Sequence, residues 1–343
     1  MSAPTPAAIT FPSERAANFL VAGVPATARA MLQFAKVHGG ENRQVIVAVP
    51  GGWSPSPLTV REIHRLAPGF ELLAVDSCGL GERPLIGGDT LQTPGEVSPN
   101  AGDADVPTLQ ALGRRIVAST GKPTDGIVSR HLNRPISQFI TRLVLMVPAA
   151  RPWHATFAAG LLGIAMFVAL ISGGSQGLLV GAALFQLASI VDGVDGEMAR
   201  ATFRSSAAGA MMDSLTDTAT NLCFVGGVSF NLFTAGEETA GLAGLAGGII
   251  LALGSAILAI QSRRDGGDLT FDALKTRFGQ RPSAVRRWLT YITMRDFYAF
   301  AAFLAIVAGL ATALLYVFVA VAIGWFVVLC WTLLTTSTSV RQG

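Results

Sequence analysis

Charge is scarce in this sequence. Asp, Glu, Lys and Arg make up 14% of its 343 residues against 51% hydrophobic ones. The deficit is concentrated after about residue 135, which predicts two parts, a soluble N-terminal region and a membrane region. Cysteine is scarcer still. Cys78, Cys223 and Cys330 stand far apart with no metal-ligand spacing, the latter two inside apolar segments. That excludes a disulfide framework or a zinc site and leaves small buried hydrophobes. A net charge of +3, with no basic stripe interleaved with aromatics, excludes nucleic acid as a partner. The four histidines form no constellation, and His154 beside Trp153 reads as an interfacial residue. Residues 1–20 hold no apolar core flanked by basic residues, so no cleavable signal peptide is expected and the N-terminus is expected in the cytoplasm.

What the chain does have is apolar sequence in runs near bilayer length, which takes roughly 20 residues. ATFAAGLLGIAMFVALISGG (155–174) is the clearest. GLLVGAALFQLASIV (177–191) is short unless the Asp-rich stretch after it forms its polar end, and residues 209–232 mirror it with the acidic end first. GLAGLAGGIILALGSAILAI (241–260) is a fourth span, rich in small residues that let membrane helices approach closely. Residues 297–334 would reach about 57 Å as one helix against a hydrocarbon core of about 30 Å, so they predict two spans hinged near Gly309 to Thr312. Six spans are expected. Basic residues cluster before the first span, near Arg200 and Arg204, between Arg263 and Arg295, and at Arg341, while ISGGSQ and NLFTAGEETAG have none. Both termini should therefore face the cytoplasm.

In SRHLNRPISQFITRLVLMVP (129–148), Ile136, Phe139, Ile140 and Leu143 follow helical spacing, with Arg134 and Arg142 in reach of headgroups. This suits a helix lying in the interface plane, limited by Pro148. Nearer the N-terminus, VAGVPATARAMLQFAKV reads as a turn and a helix, QVIVAVP as a buried strand, REIHRLA as a helix and ELLAVD as a strand. A small α/β domain follows. Residues 84–105, rich in Gly, Pro, Asp and Thr, read as an exposed loop.

The chemistry is concentrated in DGVDGEMARATFRSSAAGAMMDSLTD (192–217). On a helix Asp192 and Asp195 share a face, with Gly196 one turn from Asp192, and Gly209, Asp213 and Asp217 form a stripe at intervals of four. Two helices each presenting two carboxylates enclose a pocket whose charge is tolerable only beside cations. Hard divalent ions take such oxygen ligands and commonly carry phosphates. Glycine lets helix backbone approach a bulky ligand. Intramembrane carboxylates also mark transporters. These lie at the cytoplasmic ends of their spans, however, which favours a one-sided active site over a conduit.

Asp192, two residues, Asp195-Gly196, two residues, Ala199-Arg200, eight residues, Gly209, three residues, Asp213, three residues, Asp217 resembles the CDP-alcohol phosphotransferase signature at every fixed position. The resemblance extends over residues 130–336 and implies an integral membrane enzyme, in a bacterial inner membrane, with its active site facing the cytoplasm. It implies that an acceptor hydroxyl attacks the alcohol-side phosphorus of a CDP-alcohol and releases CMP. It assigns Asp192, Asp195, Asp213 and Asp217 to a pair of Mg²⁺ or Mn²⁺ ions and makes Asp217 also the general base. It assigns Asp192, Gly196, Ala199, Arg200 and Gly209 to the nucleotide. The expected partners are a CDP-alcohol donor, a hydroxyl-bearing lipid or alcohol-phosphate acceptor, membrane lipids and a second copy in a homodimer, to which small-residue spans four and five offer a face.

SRHLNRPIS and YITMRDFYAF (291–300) are similar to members acting on CDP-inositol with inositol phosphate as acceptor, in which a nucleotidyltransferase domain precedes the membrane domain. Arg263, Arg264 and Arg295 are in the region where such relatives hold the acceptor phosphate, and guanidinium forks suit phosphate oxygens. The N-terminal region resembles that nucleotidyltransferase domain but lacks its Gly-rich loop, since residues 1–20 read MSAPTPAAITFPSERAANFL. Asp76 alone does not make its metal site. The expected organisation is therefore a multi-domain chain. A degenerate, nucleotidyltransferase-like cytoplasmic α/β domain spans 1–122, a linker and interfacial amphipathic helix 123–148, and a six-helix transmembrane α-bundle 149–337. The alternative activity is phosphatidyl transfer from CDP-diacylglycerol to a soluble alcohol or alcohol phosphate.

Overall fold

The computed structural model describes residues 8–37, 44–80, 83–92, 104–123, 125–264 and 294–339. The chain divides into two compact units. The first is Met1–Gly121 with Gln138–Arg151 and Glu197–Arg204, and the second is Lys122–Ser137, Pro152–Gly196 and Ser205–Gly343.

The first unit is built on strands β1 (Ala8–Thr10), β4 (Gln44–Val49), β5 (Glu71–Asp76) and β6 (Leu85–Gly87), all parallel, in the order β5-β4-β1-β6. Val45–Val49 of β4 is buried without a break, as a strand flanked by two others and covered on both faces must be. Two of these strands are not visible in the sequence pattern. β1 and β6 are three residues each, and β6 lies inside the stretch read as a loop. A hairpin of β2 (Leu20–Val21) and β3 (Val24–Pro25) turns on Ala22 and Gly23, both at positive φ, the geometry that matches strand twist in a two-residue loop. Helix α1 (Glu14–Ala17) precedes it. Helices α2 (Ala26–Val37), α3 (Pro57–Leu66) and α4 (Val106–Ala118) complete the layer. Ser56 and Asp105 cap the last two, each followed within two residues by a proline whose missing N–H costs nothing in a first turn. Cys78, expected to be buried, is exposed in the short turn after β5.

Helix α5 (Arg134–Val144) follows a π turn at Ser129–Asn133. Its polar residues Ser137 and Thr141 are fully buried, while Ile136, Phe139 and Leu143 are exposed. The apolar stripe therefore faces outward, as an interfacial helix requires.

Six further helices follow among the described residues: α6 (Pro152–Ile171), α7 (Gly174–Ala201), α8 (Ala207–Thr234), α9 (Glu238–Arg264), α10 (Arg295–Val307) and α11 (Ala311–Ser339). Four segments among the described residues are long and apolar enough to cross a bilayer, Pro152–Ile171, Gly174–Ala201, Glu238–Ile257 and Ala311–Trp331, and mark an integral membrane protein. The break between α10 and α11 falls at Gly309, φ 74°, inside the expected hinge. Large apolar side chains on α6 and α11, Phe157, Ile164, Val317 and Val327 among them, point outward. The interior gathers Met166, Leu170, Phe185, Phe224, Val228, Ile306 and Leu315, with the Phe185 and Phe224 rings stacked at 4.0 Å. Backbones approach closely where small residues allow: a Cβ on Gly227 would lie 2.7 Å from Leu170. On α9, Gly244, Gly247 and Gly254 receive Leu315, Phe318 and Trp325 of the same chain. The small-residue face that the sequence offers to a partner is thus filled from within.

Candidate active site

Helix α7 runs unbroken through Asp192 and Asp195, and α8 through Asp213 and Asp217. Ser206 starts α8, its Oγ accepting from the Gly209 N–H at 3.1 Å. At about 100° per residue, Asp213 and Asp217 project only about 40° apart, whereas Asp192 and Asp195 diverge by about 60°. The larger angle separates their surroundings. Asp192, Asp213 and Asp217 each bring a carboxylate oxygen within 4.8 Å of the other two. Asp195, buried, accepts a hydrogen bond from Thr156 Oγ1 of α6 at 2.5 Å and lies outside that group.

Arg295, the first residue of α10, enters the group. Its Nη1 is 3.0 Å from Asp192 Oδ1 and also hydrogen-bonds to Asp217 Oδ1. Fully ionised, the three carboxylates would exceed the one guanidinium by two negative charges. Asp213 Oδ1 is buried without a hydrogen-bond partner among the described residues. Asp192 Oδ1 likewise meets Nη1 without hydrogen-bond geometry. An all-oxygen donor set with orphaned oxygens and a surplus of two negative charges fits one hard divalent cation such as Mg²⁺.

The other residues expected to act are distributed as follows. Gly196 is half-buried on α7 and Gly209 is exposed in the first turn of α8. Ala199 and Arg200 belong to the first compact unit, where Arg200 Nε donates to the Thr120 carbonyl at 2.7 Å. Arg263 and Arg264 end α9, and their side chains lie outside the described residues.

Three participants went unseen in the sequence. Thr156 is 39 positions from the carboxylate it holds, a separation that leaves no pattern. Asp296 accepts the Ser129 backbone N–H at 2.7 Å. Asp125 grips Arg134 through Nε at 2.7 Å and Nη2 at 3.0 Å. Burial pushes the Asp125 carboxyl up, but the Arg134 fork outweighs it and holds it below the ordinary range.

A protein named bifunctional IPC transferase and DIPP synthase from Thermococcus kodakarensis is 42% identical over 118 residues, 34% of this chain and 26% of that protein. A protein of the same name from Rubrobacter xylanophilus is 38% identical over 154 residues, 43% of this chain and 34% of that protein. A third, from Aquifex aeolicus, is 38% identical over 108 residues. The matched stretches thus span about a third or less of these relatives' length. The family model described as CDP-alcohol phosphatidyltransferase matches residues 150–336, more than half of the chain and all of the acidic motif, and the chain belongs to that family.

Proposed function

We propose that this protein transfers the phosphoalcohol group of a CDP-alcohol, CDP-inositol in the first instance, to a hydroxyl acceptor that itself bears a phosphate, releasing CMP. The observation that carries this reading is the convergence of Asp192, Asp213 and Asp217 with Arg295 beside them. The CDP-alcohol phosphatidyltransferase match over residues 150–336 supports a CDP-activated donor, and the relatives' shared name joins a transferase with a synthase.

Asp192, Asp213 and Asp217 would hold a divalent ion, with Asp195 held one helical turn away for a second. A bound ion supplies Lewis-acid polarisation of the diphosphate and charge neutralisation of the departing CMP. The chain's own side chains do the rest. Asp217 accepts the proton of the acceptor hydroxyl as its oxygen bonds to the alcohol-side phosphorus, and the bond from that phosphorus to the oxygen of the CMP phosphate breaks. CMP leaves with the bonding pair. Arg295 has two buried N–H-bearing nitrogens, Nε and Nη2, without partners among the described residues, and these suit the acceptor phosphate. Gly196 and Gly209 leave room for the nucleotide, alongside Ala199 and Arg200.

Within this reading all six helices α6–α11 cross a bacterial inner membrane, with the termini and the acidic site on the cytoplasmic side. Residues 1–122 are a degenerate nucleotidyltransferase-like domain whose β5-β4-β1-β6 order is that of a nucleotide-binding α/β half. It makes no CDP-alcohol. The protein is a homodimer through faces other than the glycine-lined face of α9.

The test is CMP release by the full chain in detergent with Mg²⁺ or Mn²⁺ and a panel of CDP-alcohols, the product being identified by mass. Asp217→Asn should lower turnover more than nucleotide binding, and Asp192→Asn should damage both. Absence of CMP from every CDP-alcohol and from CDP-diacylglycerol overturns the reading.

A further inference from the structure

The π turn Ser129–Asn133 touches both helices that form the Asp192–Arg295 ion pair. At one end, the Ser129 N–H donates to Asp296 Oδ2 at 2.7 Å, and Asp296 is the neighbour of Arg295 in the first turn of α10. At the other end, buried Asn133 accepts from Gln186 Nε2 at 2.9 Å and donates to Ser189 Oγ at 3.4 Å. Ser189 precedes Asp192 by three residues, so the contact falls within one turn of that carboxylate on α7. Just beyond, Gly193 packs so closely that an added Cβ would lie 3.2 Å from Arg134 Nη1 and 3.4 Å from Ser137 Oγ. Arg134 is itself clamped by the Asp125 fork.

These contacts are polar, buried or part-buried, and they come from one segment. Buried polar networks specify geometry because every partner lost leaves an orphan in a low-dielectric setting. π turns are rare and concentrate at functional sites. We infer that the segment from Asp125 to Ser137 is a brace that sets the spacing of α7 and α10, with Asp296 and Asn133 as positioning residues that keep Arg295 beside Asp192. Neither side chain is among the three carboxylates. The kinetic consequence rests on the proposed reaction; the brace itself does not.

Two measurements on the full chain in detergent test it. In hydrogen exchange without substrate, Asp296→Ala should speed exchange about tenfold in both 125–137 and 294–300, the loss of one charge-assisted hydrogen bond. Asp296→Asn keeps an oxygen to accept from Ser129 but not the charge, and should speed exchange only about threefold. Asn133→Ala should loosen 125–137 together with 186–193 and leave 294–300 unchanged. In turnover, Asp296→Ala should raise KM for the phosphate-bearing acceptor about tenfold with a smaller change in kcat, and adding it to Arg295→Ala should cost nothing further. The brace is overturned if Asp296→Asn loosens both segments as much as Asp296→Ala, or if Asp296→Ala leaves 125–137 exchanging like the parent. Because exchange needs no substrate, a parent protein that releases no CMP overturns the reaction while exchange alone still decides the brace.

Discussion

Two charged clusters, one in each compact unit, set carboxylates against guanidinium groups in opposite proportions. In the first unit the Glu62 side chain, 3% exposed, receives Arg65 Nη2 at 2.7 Å and Arg204 Nη2 at 2.6 Å. Arg65 also donates to the carbonyls of Thr202 and Phe203, and buried Arg29 donates to that of Ala201. The cations thus also cap the C-terminal, negative end of α7, whose chain leaves through Phe203 at φ 55° with a Schellman-type bond from Arg204 N–H to the Ala199 carbonyl. In the second unit, three carboxylates share one guanidinium. The chain supplies the first cluster with its own counterions and leaves the second short of them. A buried carboxylate matched by the chain's own cations serves the fold, and a carboxylate cluster left short of them calls for a counterion from solution.

The sharpest way to break this contrast is Asp213→Asn. CMP release should fall about 10²–10³-fold. The thermal midpoint in divalent-free buffer should hold or rise, because an amide replaces a buried carboxyl group whose Oδ1 has no hydrogen-bond partner among the described residues. A midpoint that falls instead would make the acidic cluster structural, like the first.

Glu62→Ala should do the reverse. It strands two guanidinium groups and should cost about 3 kcal/mol, seen as a lower midpoint by thermal unfolding in detergent, with turnover per folded molecule unchanged. The same residue sets a pH dependence. Burial pushes the Glu62 carboxyl up, but Arg65 and Arg204 outweigh burial and hold it below its ordinary value. The folded-state pKa being depressed, Glu62 stabilises the fold fully above the ordinary glutamate pKa of about 4.3, and that contribution is lost as pH falls through the folded value. Midpoints of the parent and Glu62→Gln should converge at acid pH and separate above about pH 5.

Smaller effects sharpen the comparison further. Thr156→Val removes the hydroxyl that holds Asp195 and should cost about 1–2 kcal/mol of stability and a comparable part of the activity, with Thr156→Ser retaining both. Phe203→Gly relieves a left-handed backbone but removes the ring beneath the Arg29 guanidinium, 4.9 Å away. The two changes oppose each other, and the stability should change by less than about 1 kcal/mol, read by thermal unfolding in detergent.

How much of this was legible depended on distance along the chain. The acidic motif, the runs of bilayer length and the break at Gly309 are local patterns, and helical spacing alone puts Asp213 and Asp217 on one stripe. QVIVAVP reads as a buried strand because five successive apolar residues admit few other places. β1 is central to the sheet yet only three residues long, too few for any period to show. The shared face of Asp192 and Asp195 was also a local inference, and it misses that α6 offers Thr156 to one of them while α8 and α10 surround the other.

By itself, then, the sequence determined that the chain has a membrane part and which carboxylates lie on which helix face, because periodicity and hydrophobicity are properties of neighbours in the chain. Which helices stand next to one another was decided only by tertiary packing. That packing hands Asp195 to Thr156, brings Arg295 to Asp192 from 103 positions away, and ties Ser129 to Asp296. The physical reason is the range of the forces. Which positions carry a carboxyl group is written in the residues, but its counterion is set by whatever the fold brings within about 4 Å.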